Sequence, residues 1–182
     1  MNGSGTIRVV KRDGTFEPFD RDKLASVMCK VMQDNPKAFT ESREVALAID
    51  IYLHRRGWPA VSSAAILEMV LRTFRLIGMD LPAAIMETHH TWRLRRCRQM
   101  KVRYSDGRTA VWDKGWLVKL ICSSWHLSTA AGRILAGDIE ARLLNEDVEV
   151  IDRDKLIEQV NALVAAYGLA DAVPVEPHSL ET

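Results

Sequence analysis

The chain has 182 residues, 47% of them hydrophobic and 27% charged, which is enough for one large or two small folded domains with ordinary buried cores. Its 25 basic and 24 acidic side chains leave a formal net charge of +1, which excludes a global electrostatic case for nucleic acid. Cys29, Cys97 and Cys122 are too few and too far apart for a disulfide framework or a four-thiolate zinc site; with no apolar run of bilayer length and no secretory segment in "MNGSGTIRVV", a soluble cytoplasmic protein is expected.

In chain order, residues 7–10 alternate as a strand, Asp13-Gly14 marks a turn, and residues 15–19 return as the partner strand. Asp20 offers a cap to a helix with Leu24, Met28 and Val31 on one face. A second helix over 40–56 repeats Val45, Ile49 and Leu53 every four residues, and Gly57-Trp58-Pro59 stops it. Ser62 or Ser63 caps a third helix striped by Ile66, Val70, Phe74 and Ile77 and ended by Gly78. Asp80 caps a fourth, with Pro82 in its first turn, running into the basic segment "RLRRCRQMK".

The second half repeats this plan. "KRDGTFEPFDRDKL" lies without a gap on "YSDGRTAVWDKGWL", matching Asp13 with Asp106, Gly14 with Gly107, Phe19 with Trp112, Asp20 with Asp113 and Leu24 with Leu117. After a three-residue length difference, Ala46, Ile49 and Leu53 match Ala136, Ile139 and Leu143, and Val61, Ile66, Val70 and Gly78 match Ile151, Leu156, Val160 and Gly168. The expected organisation is a first domain over 1–98, a second over 99–172 whose fourth helix is missing or very short, and a flexible, proline-punctuated tail over 173–182.

Charge is concentrated at the first turn. Lys11 and Arg12 precede it, and Lys23 lies in the first turn of the following helix, where free backbone amides favour an anion. One reading is a phosphate site, with a point charge from lysine and a forked donor from arginine. The other is a set of solvated cations paired with Asp13, Glu17, Asp20 or Asp22, each pair contributing under about 1 kcal/mol. Neighbouring strand residues point to opposite faces, which complicates a joint grip by Lys11 and Arg12, but near a turn strand twist and the end of the pairing relax that rule. The repeat has Tyr104, Ser105 and Trp116 at the three cationic positions, so if the first copy binds phosphate the second has lost that site.

From Arg93 to Arg103 there are six cations and no acid, and from Asp138 to Thr182 eleven acids and three cations. The arginine-rich helix reads as an exposed basic linker, or as a surface for extra nucleotide-phosphate contact, an acidic partner or nucleic acid. The acidic loop "NEDVEVIDRD" reads as solvated, or as a partner for the basic segment of a neighbouring molecule. Trp112, Leu117, Leu120 and Ile121 form a core stripe, while Trp116 is expected to cover a self-association surface. His54, His89 and His90 do not make a metal-ligand spacing with the cysteines, and no serine or cysteine is paired with a base, so neither a metal centre nor an enzyme is expected.

The motif "VVKRDGTFEPFDRDKL", followed by "VSSAAILEMV" and a helix ending in arginines, resembles the ATP-cone domain, the regulatory nucleotide-binding module of many ribonucleotide reductases and of the bacterial repressor of their genes. The resemblance implies an α+β fold of two tandem ATP-cone-like domains, each a small sheet capping a helical bundle, the second shortened and degenerate. It implies that Lys11, Arg12 and Lys23 contact phosphates, that Val9 lines the base pocket, and that Glu17 and Asp20 lie near base or sugar. Ser63 stands where the family often has threonine, keeping a hydroxyl. Leu67 stands where it often has histidine, which removes an imidazole. The implied ligand is ATP or dATP, with magnesium on the phosphate tail. The implied setting is regulatory: a homo-oligomer, with a ribonucleotide reductase or a transcriptional partner. The related repressors read DNA through a zinc-binding module before the cone, and no CxxC pair precedes this one, so that route to DNA is not favoured.

Overall fold

The computed structural model describes residues 6–12, 14–32 and 35–169, so Asp13 of the expected turn and the expected tail over 173–182 lie outside the described residues. The chain forms two compact units that meet in sequence between Thr91 and Trp92.

In the first unit, β1 (Arg8–Val10) pairs antiparallel with β2 (Phe16–Pro18), placing Val9 opposite Glu17. A third strand, β3 (Ala60–Ser62), runs parallel to β1 on its other side, so the sheet order is β2-β1-β3. The helices are α1 (Arg21–Val31), α2 (Ala38–Arg56), α3 (Ser63–Leu76) and α4 (Asp80–Gln99), the last continuing across the unit boundary. The expected four-residue repeats bury except at Ile77, which is the C-cap of α3 and exposed: Val45, Ile49 and Leu53 from α2 and Ile66, Val70 and Phe74 from α3 close on Met28 of α1 and on Val9 and Val61 of the sheet. Full burial of each large apolar side chain contributes roughly 1.5–3 kcal/mol. Gly57 ends α2 at φ 66°, the left-handed turn that a residue with a Cβ adopts only at a cost.

The second unit repeats this order. β4 (Lys101–Arg103) pairs antiparallel with β5 (Thr109–Val111) and parallel with β6 (Val150–Asp152), giving β5-β4-β6, with helices α5 (Lys114–Ser124), α6 (Thr129–Asn145) and α7 (Arg153–Ala166). Its core gathers Trp112, Leu117, Ile121, Trp125, Ile139, Leu143, Ile151, Leu156 and Val160. Leu120, expected in the stripe, is only partly buried against it.

The third strand of each sheet was not among the expected elements. Three residues between a helix stop and a helix cap are too few to show alternation, and their pairing is with a strand some fifty positions away. In the first unit that strand also decides the α3 cap: Ser62, its last residue, accepts the amide of Ala65 at 3.0 Å, and Ser63 begins the helix.

Candidate functional site

The β1–β2 hairpin closes tightly. The Lys11 amide donates to the Thr15 carbonyl at 2.8 Å and the Gly14 amide to the Lys11 carbonyl at 3.0 Å, with Gly14 at φ 77°. Strand alternation then sorts the side chains. Val9 is buried, and Glu17, its opposite in register, lies half-buried beside the start of α1. The Lys11 ammonium is 2.9 Å from Glu17 Oε2, and the Lys23 ammonium reaches the same oxygen at 3.4 Å. Two cations from different elements are therefore gathered on one carboxylate.

Asp20 has a different task. Its Oδ1 accepts the Lys23 amide at 2.9 Å and caps α1, so it fixes the backbone that carries Lys23 rather than neutralising the ammonium. Arg12 is exposed at the turn, with no ion pair to it among the described residues. Because β3 runs beside β1 with Val10 opposite Ser62, the first turn of α3 and Ser63 start next to the end of β1. Leu67, one turn along α3, is half-buried against the core. The structure thus brings Lys11, Glu17 and Lys23 into contact, with Asp20 behind them, Val9 beneath and the half-buried Ser63 at the adjoining helix start. The ion pairs that the solvated reading named do form with Glu17, while Asp22 faces Arg43 at 3.8 Å instead.

The same positions in the second unit carry no charge cluster. Tyr104, Trp116 and Ala110 replace Lys11, Lys23 and Glu17. Tyr104 and Trp116 meet edge to face at 6.5 Å between ring centroids, and the buried Arg153 lies over the Tyr104 ring at 6.0 Å. Trp116, expected to cover a self-association surface, is half-buried in this contact.

The arginine-rich segment is partly consumed by the second unit. Arg93 donates from Nη2 and Nε to Glu140 Oε1 at 2.7 and 3.1 Å, the Cys97 thiol donates to the same oxygen at 3.3 Å, and Lys114 stands 3.2 Å from Oε2 as an ion-pair contact without hydrogen-bond alignment. Burial pushes the Glu140 carboxyl up, but the charges of Lys114 and Arg93 and the hydrogen bonds from Cys97 and Arg93 outweigh it and hold it below the usual carboxylate range. Arg96 pairs with Asp147, and Arg103 donates to Asp152 at 2.6 Å. The acidic loop expected either to be solvated or to pair with a neighbour thus meets the basic segment of its own chain. Sequence reasoning passed over Glu140 altogether. Its one local signal is an acid at a helix position where the first unit has Asp50. Arg95 and Arg98 stay exposed.

Residues 7–92 match the model of the ATP cone domain. The first unit is an ATP cone domain. Over 63 residues, 35% of this chain and 40% of the relative, it is 36% identical to the transcriptional repressor NrdR of Oceanobacillus iheyensis. It is 33% identical over 67 residues to that of Myxococcus xanthus, covering 37% and 40% of the two chains. With that of Geobacillus kaustophilus it shares 36% identity over 72 residues, 40% and 46% of the two. The chain spans less than half the length of these curated relatives, and its second unit lies beyond the match to the family model. Among the described residues, no helix is long and apolar enough to cross a membrane.

Proposed function

We propose that this chain is a nucleotide-sensing regulator whose ATP cone domain binds ATP or dATP. Lys11, Arg12 and Lys23 take the phosphates, Val9 lines the base pocket, Glu17 and Asp20 lie near base or sugar, and Ser63 offers its hydroxyl beside Leu67. Magnesium arrives on the phosphate oxygens, which suit a hard cation. The observation that carries this reading is the gathering of the Lys11 and Lys23 ammonium groups on one oxygen of Glu17. Two like charges held together at the mouth of a helix start are a ready site for a polyanion, which offers them more negative charge than one carboxylate.

The second unit is, in this proposal, a degenerate cone over 99–172 without a phosphate site, serving assembly or coupling. Nucleotide binding orders the first hairpin against α1 and shifts the packing of a homo-oligomer or its hold on a ribonucleotide reductase or transcriptional partner, with a coupling free energy of about 1–3 kcal/mol. That the relatives are transcriptional repressors supports a regulatory output rather than an enzymatic one. Titration calorimetry with ATP and dATP, run alongside molecular-mass measurement, tests the reading. Saturable binding by the folded chain is expected; absence of heat and of any mass change with both nucleotides would end it.

A further inference from the structure

The two units differ in what lies against the outer side of two matched helices, α2 in the first and α6 in the second. In the second, Glu140 of α6 is 3% exposed, held by Arg93 and Cys97 from the end of α4 and by Lys114, the first residue of α5. Leu144, one turn further, is 8% exposed. Counting back along the matched helices, these positions in the first unit are Asp50 and His54 on α2 and Arg21 at the start of α1, while Leu47 stands at the place of Gly137.

There, the matching face is open among the described residues. Phe39, Leu47 and Ile51 are 66%, 42% and 43% exposed, and a groove of about 320 Å³ runs between α1 and α2, with Arg21, Phe39 and Leu47 in its walls. The Asp50 side chain is 24% exposed, and its ion-pair partner is the exposed His54 of its own helix at 2.9 Å. A single unit therefore presents an apolar ridge with a carboxylate beside it, where its counterpart carries a helix that supplies a guanidinium to a carboxylate.

We propose that the α1–α2 face of the first unit is a docking slot for an amphipathic, arginine-bearing helix of a partner protein. Leu47 and Ile51, four residues apart, form the ridge on which the apolar side of such a helix rests. Asp50 takes its arginine as Glu140 takes Arg93. The charge complementarity is specific in register: the incoming helix needs an arginine with side chains that can pack four and seven positions after it, the spacing that Cys97 and Met100 have from Arg93 in the segment seated on the second unit.

The defined probe is an acetylated, amidated peptide of residues 88–101 of this chain, titrated into the full-length isotope-labelled protein and followed by amide chemical shifts. The slot on the second unit is already filled by the tethered segment, whose effective concentration keeps the free peptide out. Saturable shifts centred on Arg21, Leu47, Asp50 and Ile51 are expected. Affinity should fall at least tenfold for Leu47→Lys, for Asp50→Asn, and for a peptide carrying Arg93→Ala. Both protein substitutions sit on an open face, and the dispersion of each variant's spectrum verifies its fold. The proposal is overturned by no saturable shift up to about millimolar peptide, by shifts centred elsewhere, by unchanged affinity in the variants, or by equal binding of a scrambled peptide.

Discussion

The two hairpins share a backbone and differ in the charges they carry. Both sheets use the same strand order and register, both following helices are capped by an aspartate, and both turns place a glycine at positive φ. In the first unit the hairpin and helix start carry Lys11, Glu17 and Lys23 in mutual contact; in the second, the same three positions hold Tyr104, Ala110 and Trp116, and an aromatic edge contact replaces the ion pairs. The three charges are present together or absent together within one molecule. The cluster runs from half-buried to open: Glu17 is 19% exposed and Lys11 26%, while Lys23 is 64% exposed. The scaffold therefore carries either the charged or the aromatic set on the same backbone.

The largest effect that would break this comparison lies in the second unit, which relies on Glu140 where the first, among the described residues, has no buried carboxylate. Glu140→Ala should lower unfolding free energy by about 3 kcal/mol, the low end for breaking a buried ion pair, because Arg93 and Lys114 keep about a third of their side chains in water. Denaturant or thermal unfolding reads this directly. The sign with pH follows from the lowered Glu140 carboxyl: its contribution is present above the carboxylate range of the unfolded chain and is lost as pH falls through its lower folded value. Glu140→Gln should therefore flatten that part of the acid-stability profile, and an unchanged profile would remove Glu140 from the account.

Lys11→Ala together with Arg12→Ala should weaken ATP or dATP binding by roughly 100-fold, as expected for losing charge-assisted phosphate contacts, with the circular dichroism spectrum preserved. Tyr104→Ala with Ser105→Ala makes the matched change in the second unit and should leave calorimetric affinity within about twofold, an effect of ~0.4 kcal/mol or less. Equal losses from both pairs would erase the functional distinction between the hairpins.

Smaller effects sharpen the comparison at the third strands. Ser62 caps α3 with its hydroxyl, whereas Asp152 at the matching place makes no capping bond and pairs with Arg103. Ser62→Ala should cost about 1 kcal/mol in thermal unfolding. Asp152→Ala should cost less than that in the same measurement, since it removes only an exposed pair.

Much of this molecule is local enough to be read from the chain. The hairpin turn, the Asp20 cap, the four-residue stripes of α2 and α3, the glycine stops and the internal repeat all depend on residues a few positions apart, and the motif around Lys11 and Arg12 sufficed to mark the ATP cone resemblance. Lys23 was legible for the same reason, standing three residues after its cap.

What tertiary structure alone decided are the pairings between distant residues. Composition and spacing left Lys11 and Lys23 with four candidate acids; strand register and the helix entry selected Glu17 for both. The destination of Arg93 and Arg96 was equally open, because a cation on an exposed helix reads alike in sequence whether it faces water, a phosphate or a carboxylate forty-seven residues away. Periodicity encodes which face of an element is apolar. Which charge meets which is set by the packing of those faces, and Coulomb attraction acts on the distances that packing leaves.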